Sequence, residues 1–178
     1  KFYFDVSKAV DGKEPRVGSL VKEKPAKASS CTYPAFNLGT MGSTSAASSQ
    51  VMGGGIKPGM GIALSTPPLA EDIEITGPLA ATFHVSSESE DMDLFLTLRN
   101  FDADGNEIME TGQQGTPVPV AKGWLRVSHR ELDPDLSLPY RPYHKHLRRQ
   151  WLKPNEIVEV QVEIWPTSMV FKKGHRIR

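Results

Sequence analysis

The sequence of 178 residues has one cysteine, no excess of charge of either sign and no long apolar run. Cys31 has no partner within the chain, which excludes an intrachain disulfide scaffold. Lys plus Arg and Asp plus Glu both number 21, so no basic excess predicts nucleic-acid binding. No apolar run approaches the ~20 residues that span a bilayer. We therefore expect a soluble chain with neither nucleic acid nor membrane as a partner.

Helical spacing of apolar residues is also absent, since no stretch keeps it for three turns. Instead, apolar and polar residues alternate in segments 79–85, 94–98 and 158–164, and 14 prolines and 15 glycines lie mostly between such segments. Alternation with a period of two places one face of a strand in the core. The chain is therefore predicted to be all-β, a jelly-roll β-sandwich, with helix limited to isolated turns around 144–150.

Domain organisation is predicted from a change in composition. Residues 1–61 read as an N-terminal strand near residues 2–4, followed by an exposed loop and a long irregular Gly/Ser-rich loop. Residues 62–178 read as the β-sandwich. We expect one domain overall, with a further strand over 124–130 that places Ser128 on the polar face.

Nucleophilic catalysis finds little support in the chain. The Gly-x-Ser-x-Gly turn that exposes the nucleophile of an α/β-hydrolase is missing. Ser128 and His129 are adjacent, and on a strand they would point to opposite faces and could not act as a nucleophile-base pair. No catalytic residue is assigned.

Metal and cofactor binding was considered for the histidines. His144 and His146, two apart, would lie on one side of a strand, as metal ligation requires. The remaining potential ligands are scattered: His84, His129, His175 and Cys31. We favour a structural role for His144 and His146 and expect no metal and no cofactor.

Carboxylates form two groups that suggest chemistry. Residues 102–107, Asp-Ala-Asp-Gly-Asn-Glu, resemble a calcium loop, but their glycine and glutamate are wrongly placed, which favours a solvated hairpin turn joining 93–101 to 107–112. Asp91 and Asp93 are an acid-base candidate. Because an apolar strand follows them directly, we expect them to cap its entrance.

Three tryptophans, Trp124, Trp151 and Trp165, are candidates for stacking on sugar rings. A stand-alone carbohydrate-binding jelly roll is therefore the alternative function. Core packing or an interdomain contact is the interpretation we favour for these three residues.

Short motifs follow one another in a fixed order through the last three-fifths of the chain. They are Ile75-Thr76-Gly77-Pro78, Asp91-Met92-Asp93, Gly123-x-Leu125-Arg126-x-Ser128-x-Arg130, Leu152-x-Pro154-x-Glu156 and Phe171-x-x-Gly174-His175-Arg176. This order resembles the C-terminal jelly-roll domain of the CocE/NonD and X-Pro dipeptidyl-peptidase family of serine hydrolases. The resemblance covers about 75–178, and the region before residue 75 carries no clear family signature.

The resemblance implies a galactose-binding-domain-like sandwich that is inactive alone and packs against the α/β-hydrolase catalytic domain of the same polypeptide. The accessory domain would shape the substrate pocket and stabilise or oligomerise the parent enzyme. Through the parent, the partner would be a small acyl ester, amide or peptide substrate, and a homo-oligomer is a further expectation. Relatives continue beyond the Gly-His-Arg motif, so we expect the sandwich to lack its last strands.

Overall fold

The computed structural model describes residues 1–9, 16–34, 61–112 and 115–178. In these ranges the chain forms twelve strands and one short 3-10 helix, Val127–His129. The strands are β1 Tyr3–Asp5, β2 Arg16–Val21, β3 Ile62–Ser65, β4 Ile73–Val85, β5 Asp93–Leu98, β6 Asn100–Phe101, β7 Glu107–Ile108, β8 Glu110–Thr111, β9 Pro117–Val118, β10 Ala121–Arg126, β11 Val158–Phe171 and β12 Arg176–Ile177. Nowhere in these ranges is there a helix with the length and apolar character that crossing a bilayer requires.

The chain divides into two compact units. The first comprises residues 1–74, 98–120 and 170–178, and the second comprises 75–97 and 121–169. Strands β4, β5 and β11 contribute residues to both. The division of the chain into residues 1–61 and 62–178 stays a prediction, and most of the Gly/Ser-rich loop, 35–60, lies outside the described residues.

The first unit contains a three-stranded sheet that sequence analysis recognised only in part. Strand β1 pairs antiparallel with β2, and β2 pairs parallel with β3. Sequence analysis missed β2 because its buried positions are Arg16, Gly18 and Leu20, which do not form an apolar series. A Cβ at Gly18 would lie 2.7 Å from both the Asp5 carbonyl and the Leu64 side chain, so only glycine fits there.

The hairpin turn of the first unit is where the sequence predicted it. The Asp102 amide donates to the Asn106 carbonyl at 2.9 Å, and Gly105 adopts φ +86°. The hairpin itself is short, because only β6 and β7 pair across the turn. Strand β5, which was expected to extend it, pairs with β10 instead. The two-residue strand β12 pairs with the other side of β6.

The second unit is built from two strand pairs, β4 with β11 and β5 with β10. Their inward side chains share one apolar core, in which Leu125, Val160 and Val162 are at most 4% exposed. Phe83 and Leu94 pack against it from β4 and β5. The period-two alternation along β11 is thus confirmed, and so is the all-β sandwich prediction. The jelly-roll strand order and the missing last strands stay predictions.

Two local predictions are wrong. The expected strand over 124–130 ends at Arg126, because residues 127–129 turn into a 3-10 helix whose first amide, on Val127, donates to the Met92 carbonyl at 2.9 Å. Ser128 is consequently fully buried rather than on the polar face. Residues 144–150 form no helical turn, and His144 instead bridges to Leu132.

Candidate functional site

Two motifs that lie far apart in the sequence meet at the junction of β5 and β10. The Ser128 amide and hydroxyl donate to opposite oxygens of Asp91, at 2.8 and 2.7 Å. Arg126 holds Asp93 with two parallel bonds, from Nε to Oδ1 at 2.8 Å and from Nη2 to Oδ2 at 2.9 Å. The Asp-x-Asp and Arg-x-Ser motifs therefore join the ends of two paired strands.

These contacts occupy the groups that could do acid-base or nucleophilic chemistry. Burial raises the pKa of Asp91, but hydrogen bonds from Ser128 and Met92 outweigh it, so the net pKa lies below the ordinary 3.8. A general acid at neutral pH needs the opposite shift. The Asp93 hydrogen bonds raise the pKa of Arg126, which stays charged. Ser128 Oγ, fully buried and bonded to a carboxylate, is not placed to attack a substrate.

The histidine next to Ser128 lies in a different constellation. His129 Nδ1 is 3.2 Å from Nδ1 of His146, and the His144 and His146 rings lie 5.9 Å apart. The spacing of His144 and His146 predicted that these two side chains lie near each other. The contact of His129 with His146 was not predicted, because the two residues are 17 positions apart in the sequence. His146 reaches this position with φ +53°, an uncommon conformation for a residue with a side chain.

Burial distinguishes His144 from its two neighbours. Its Nε2 is enclosed and has no hydrogen-bond partner among the residues that the structure describes, and burial lowers its pKa below the ordinary 6.5, helped by the nearby His146. Within the part of the chain that the structure describes, no group of three or more His, Cys, Asp or Glu is arranged to hold a metal ion.

In the loop at 102–107, which resembles a calcium loop in sequence, the Asp102 carboxylate accepts hydrogen bonds from the loop itself. Asp102 Oδ1 accepts from the amides of Asp104 and Asn106, at 3.0 and 2.8 Å, and Oδ2 accepts from the Asn106 side chain. The hydrogen bonds from Asn106 lower the pKa of Asp102 below the ordinary 3.8. This geometry stabilises the hairpin turn.

The Gly-His-Arg motif also makes structural contacts. His175 Nδ1 is 3.0 Å from the side-chain oxygen of Asn100, which is 1% exposed, and Arg176 donates to the Thr66 carbonyl at 3.2 Å. The preceding Phe171 is fully buried. Within the first unit, the motif therefore attaches residues 175 and 176 to Asn100 of β6 and to Thr66, which follows β3.

Tryptophan positions differ from the core packing that sequence analysis considered. Trp124, Trp151 and Trp165 are 40%, 52% and 59% exposed. The Trp124 and Trp165 rings meet at 5.1 Å but tilt by 46°, so they do not form a flat sugar platform. Arg149 lies over the Trp151 ring at 5.4 Å.

A shallow concavity of about 320 Å³ adjoins the exposed Trp151 ring. It is lined by Asp91, Met92, Asp93, Arg126, Arg149 and Trp151. Its carboxylates and Arg126 are paired with one another or with Ser128. The concavity offers charge and an aromatic face, without a free nucleophile or base.

Comparison with known proteins identifies the family of the chain. The X-Pro dipeptidyl-peptidase C-terminal non-catalytic domain family matches residues 40–178. The chain belongs to this family. The match begins at residue 40, earlier than the range of about 75–178 over which the sequence motifs carry the resemblance. Residues 40–60 are rich in Ser and Gly, and a segment of this composition is difficult to assign to a family from its sequence alone.

The chain matches one part of several longer proteins. It is similar to the crystal structure of a CocE/NonD family hydrolase from Staphylococcus aureus, with TM-score 0.61, 38% identity and coverage of 64% of this chain and 21% of that chain. It is 34% identical over 116 residues to candidate serine esterases of Mycobacterium bovis and Mycobacterium tuberculosis, covering 62% of this chain and 17% of each. The chain thus spans about a fifth of the length of these relatives, and the predicted resemblance is confirmed.

Proposed function

We propose that this chain is the accessory C-terminal domain of a CocE/NonD-type serine hydrolase and is inactive alone. The observation that carries the proposal is the Asp91–Ser128 contact, which commits the best-placed serine and carboxylate to holding β5 and β10 together. A domain that uses its Ser, Asp and His motifs structurally contributes shape and stability to a parent enzyme whose nucleophile lies elsewhere.

The proposed parent reaction is attack of a serine on an acyl ester, amide or X-Pro peptide bond. We favour the ester, because the mycobacterial relatives are described as esterases. In this proposal the accessory domain helps to shape the substrate pocket and stabilises the parent. Self-association of the parent is a further part of the proposal, to be measured by analytical ultracentrifugation.

Turnover of activated esters tests the proposal directly. The 178-residue chain should give no hydrolysis above buffer, and the longer polypeptide that contains it should hydrolyse the ester. A fluorophosphonate, which labels activated serines, should modify the longer polypeptide outside these 178 residues. An adduct on Ser128, or turnover by the chain alone, would refute the assignment.

Ser128→Ala in the longer polypeptide provides a matched control. A structural serine predicts an unchanged kcat per folded molecule with lower stability. A nucleophilic serine predicts loss of kcat by several orders of magnitude in a protein that remains folded.

A further inference from the structure

Strands β5, β10 and β11 each carry one exposed aromatic side chain: Phe95, Trp124 and Trp165. Their exposed fractions are 47%, 40% and 59%. Each lies on the face opposite the core residues of its own strand, such as Leu94, Leu125 and Val162. We refer to Phe95, Trp124 and Trp165 as the aromatic patch.

Strand pairing makes the patch contiguous. Arg126 and Asp93, which bond each other, are the last residue of β10 and the first of β5. Because β10 ends at Arg126 and β5 begins at Asp93, the two paired strands can run alongside each other only if they are antiparallel. Counting two residues back along β10 and two forward along β5 from that contact places Trp124 across from Phe95. The centroids of the Trp165 and Trp124 rings lie 5.1 Å apart.

The size and composition of the patch are those of an interface centre. With 150–250 Å² for each buried aromatic side chain, about half exposed, the three rings leave on the order of 300 Å² of apolar surface in water. Contiguous patches of that size commonly mark interaction sites. Aromatic residues are enriched at the centres of protein interfaces and carry much of their binding energy.

A charged rim borders the patch. The Arg126–Asp93 pair closes one end, and beyond it Arg149 covers Trp151 at the shallow concavity. An apolar centre with a polar, hydrogen-bonded border is the usual anatomy of a protein-protein contact. Paired charges around the rings therefore favour a protein surface as the occupant.

We propose that the aromatic patch is the docking surface for the catalytic portion of the same polypeptide. The inference rests on the proposed function. The family to which the chain belongs is a C-terminal, non-catalytic domain, and about four-fifths of the related Staphylococcus aureus hydrolase lies outside the matched part. A covalently linked partner is present at high effective concentration, so three exposed rings suffice to define the contact centre.

Hydroxyl-radical footprinting of the full-length polypeptide tests the docking. Phe95, Trp124 and Trp165 should be labelled roughly fivefold more slowly than Tyr140, because docking takes aromatic rings from about half exposed to interface-core burial. Tyr140, 54% exposed, is the matched reference in the same unit. Labelling of the three patch residues as fast as Tyr140 would overturn the proposal.

A photo-crosslinking phenylalanine analogue at position 165 identifies the occupant. Crosslinks to the catalytic portion of the same polypeptide support the proposal. Crosslinks to a second copy, or only to residues within this 178-residue chain, overturn it. If the patch is protected and crosslinked as expected but the polypeptide hydrolyses no ester, docking stands and the proposed hydrolase function fails.

The energetic role of the patch is tested by Trp124→Ala with Trp165→Ala in the full-length polypeptide. Both side chains are outside the core, so the domain itself should still fold. We expect its thermal unfolding to separate from that of the catalytic portion, whereas Tyr140→Ala should leave a single transition. A single transition in both variants would contradict the proposal, and the footprint of the unsubstituted protein decides the matter if the double variant does not fold.

Discussion

The contact between Asp91 and Ser128 leads to the most detailed prediction. Replacing Asp91 by alanine removes the acceptor of three hydrogen bonds, from the Ser128 amide at 2.8 Å, the Ser128 hydroxyl at 2.7 Å and the Met92 amide at 3.0 Å. Ser128 is fully buried, so its two donors lose a partner in a place that water does not reach directly. The Asp91 side chain is 23% exposed, which leaves the Met92 amide closer to solvent.

The expected magnitude follows from these contacts. A buried donor left without its partner costs about 1–3 kcal/mol, and partial access of water through the Asp91 site favours the lower half of that range for each. We expect Asp91→Ala to lower the free energy of unfolding by about 3 kcal/mol and Ser128→Ala by about 1 kcal/mol. The two should couple, so that the double variant loses less than the sum of the single losses.

Urea unfolding of the 178-residue chain measures these changes, with the exposed Asp104→Asn as a control expected to change little. A loss below about 1 kcal/mol in Asp91→Ala, or strictly additive losses, would refute the reasoning. The pH dependence gives a second measure. Because the folded-state pKa of Asp91 lies below 3.8, its contribution is present above pH 3.8 and is lost as the pH falls through the lower folded value. The difference between the chain and Asp91→Asn should therefore shrink in acid.

Three further predictions concern other contacts. Gly123→Ala should cost about 3 kcal/mol or more in urea unfolding, because the added Cβ would overlap the Glu163 backbone carbonyl, whereas Leu147→Ala, at a side chain that is 83% exposed, should cost little. Glu107→Gln should cost about 3 kcal/mol, since Arg99, whose side chain is 9% exposed, would lose the carboxylate it contacts at 2.7 and 2.8 Å; an unchanged urea midpoint would contradict this. For His144, the pKa lowered by burial predicts that stability is lost as the pH falls below 6.5, with a smaller loss in His144→Gln; parallel pH profiles would show that this histidine does not titrate as inferred.

Structural use of the motifs explains why a non-catalytic domain carries Ser, His, Asp and Arg in a fixed order. Asp91 and Asp93 fasten β5 to the end of β10, and His175 fastens the end of the chain through Asn100. The Ser128–Asp91 and Arg126–Asp93 bonds have charged partners, and charge-assisted hydrogen bonds are directional and add stability. These structural contacts explain the presence of residue types that the sequence alone would suggest for catalysis.

Secondary structure was predictable where one face of a strand is apolar. Along β11, Val160 and Val162 alternate with polar neighbours, and the structure buries them as expected. Strand β2 escaped prediction because its inward positions include Arg16 and Gly18, whose burial depends on neighbouring strands. The 3-10 helix after β10 escaped for the same reason, since its first amide bonds to a residue of the segment before β5.

The sequence by itself determined the all-β class, the hairpin turn at 102–106 and the family, because alternation, turn chemistry and motif order are local properties of the chain. Only the tertiary structure decided that Asp91 bonds Ser128, that His129 lies against His146, and that the Trp124 and Trp165 rings meet. The physical reason is that each of these contacts joins residues 17 or more positions apart. Such pairs are brought together by strand pairing and loop return, which no short window of sequence encodes.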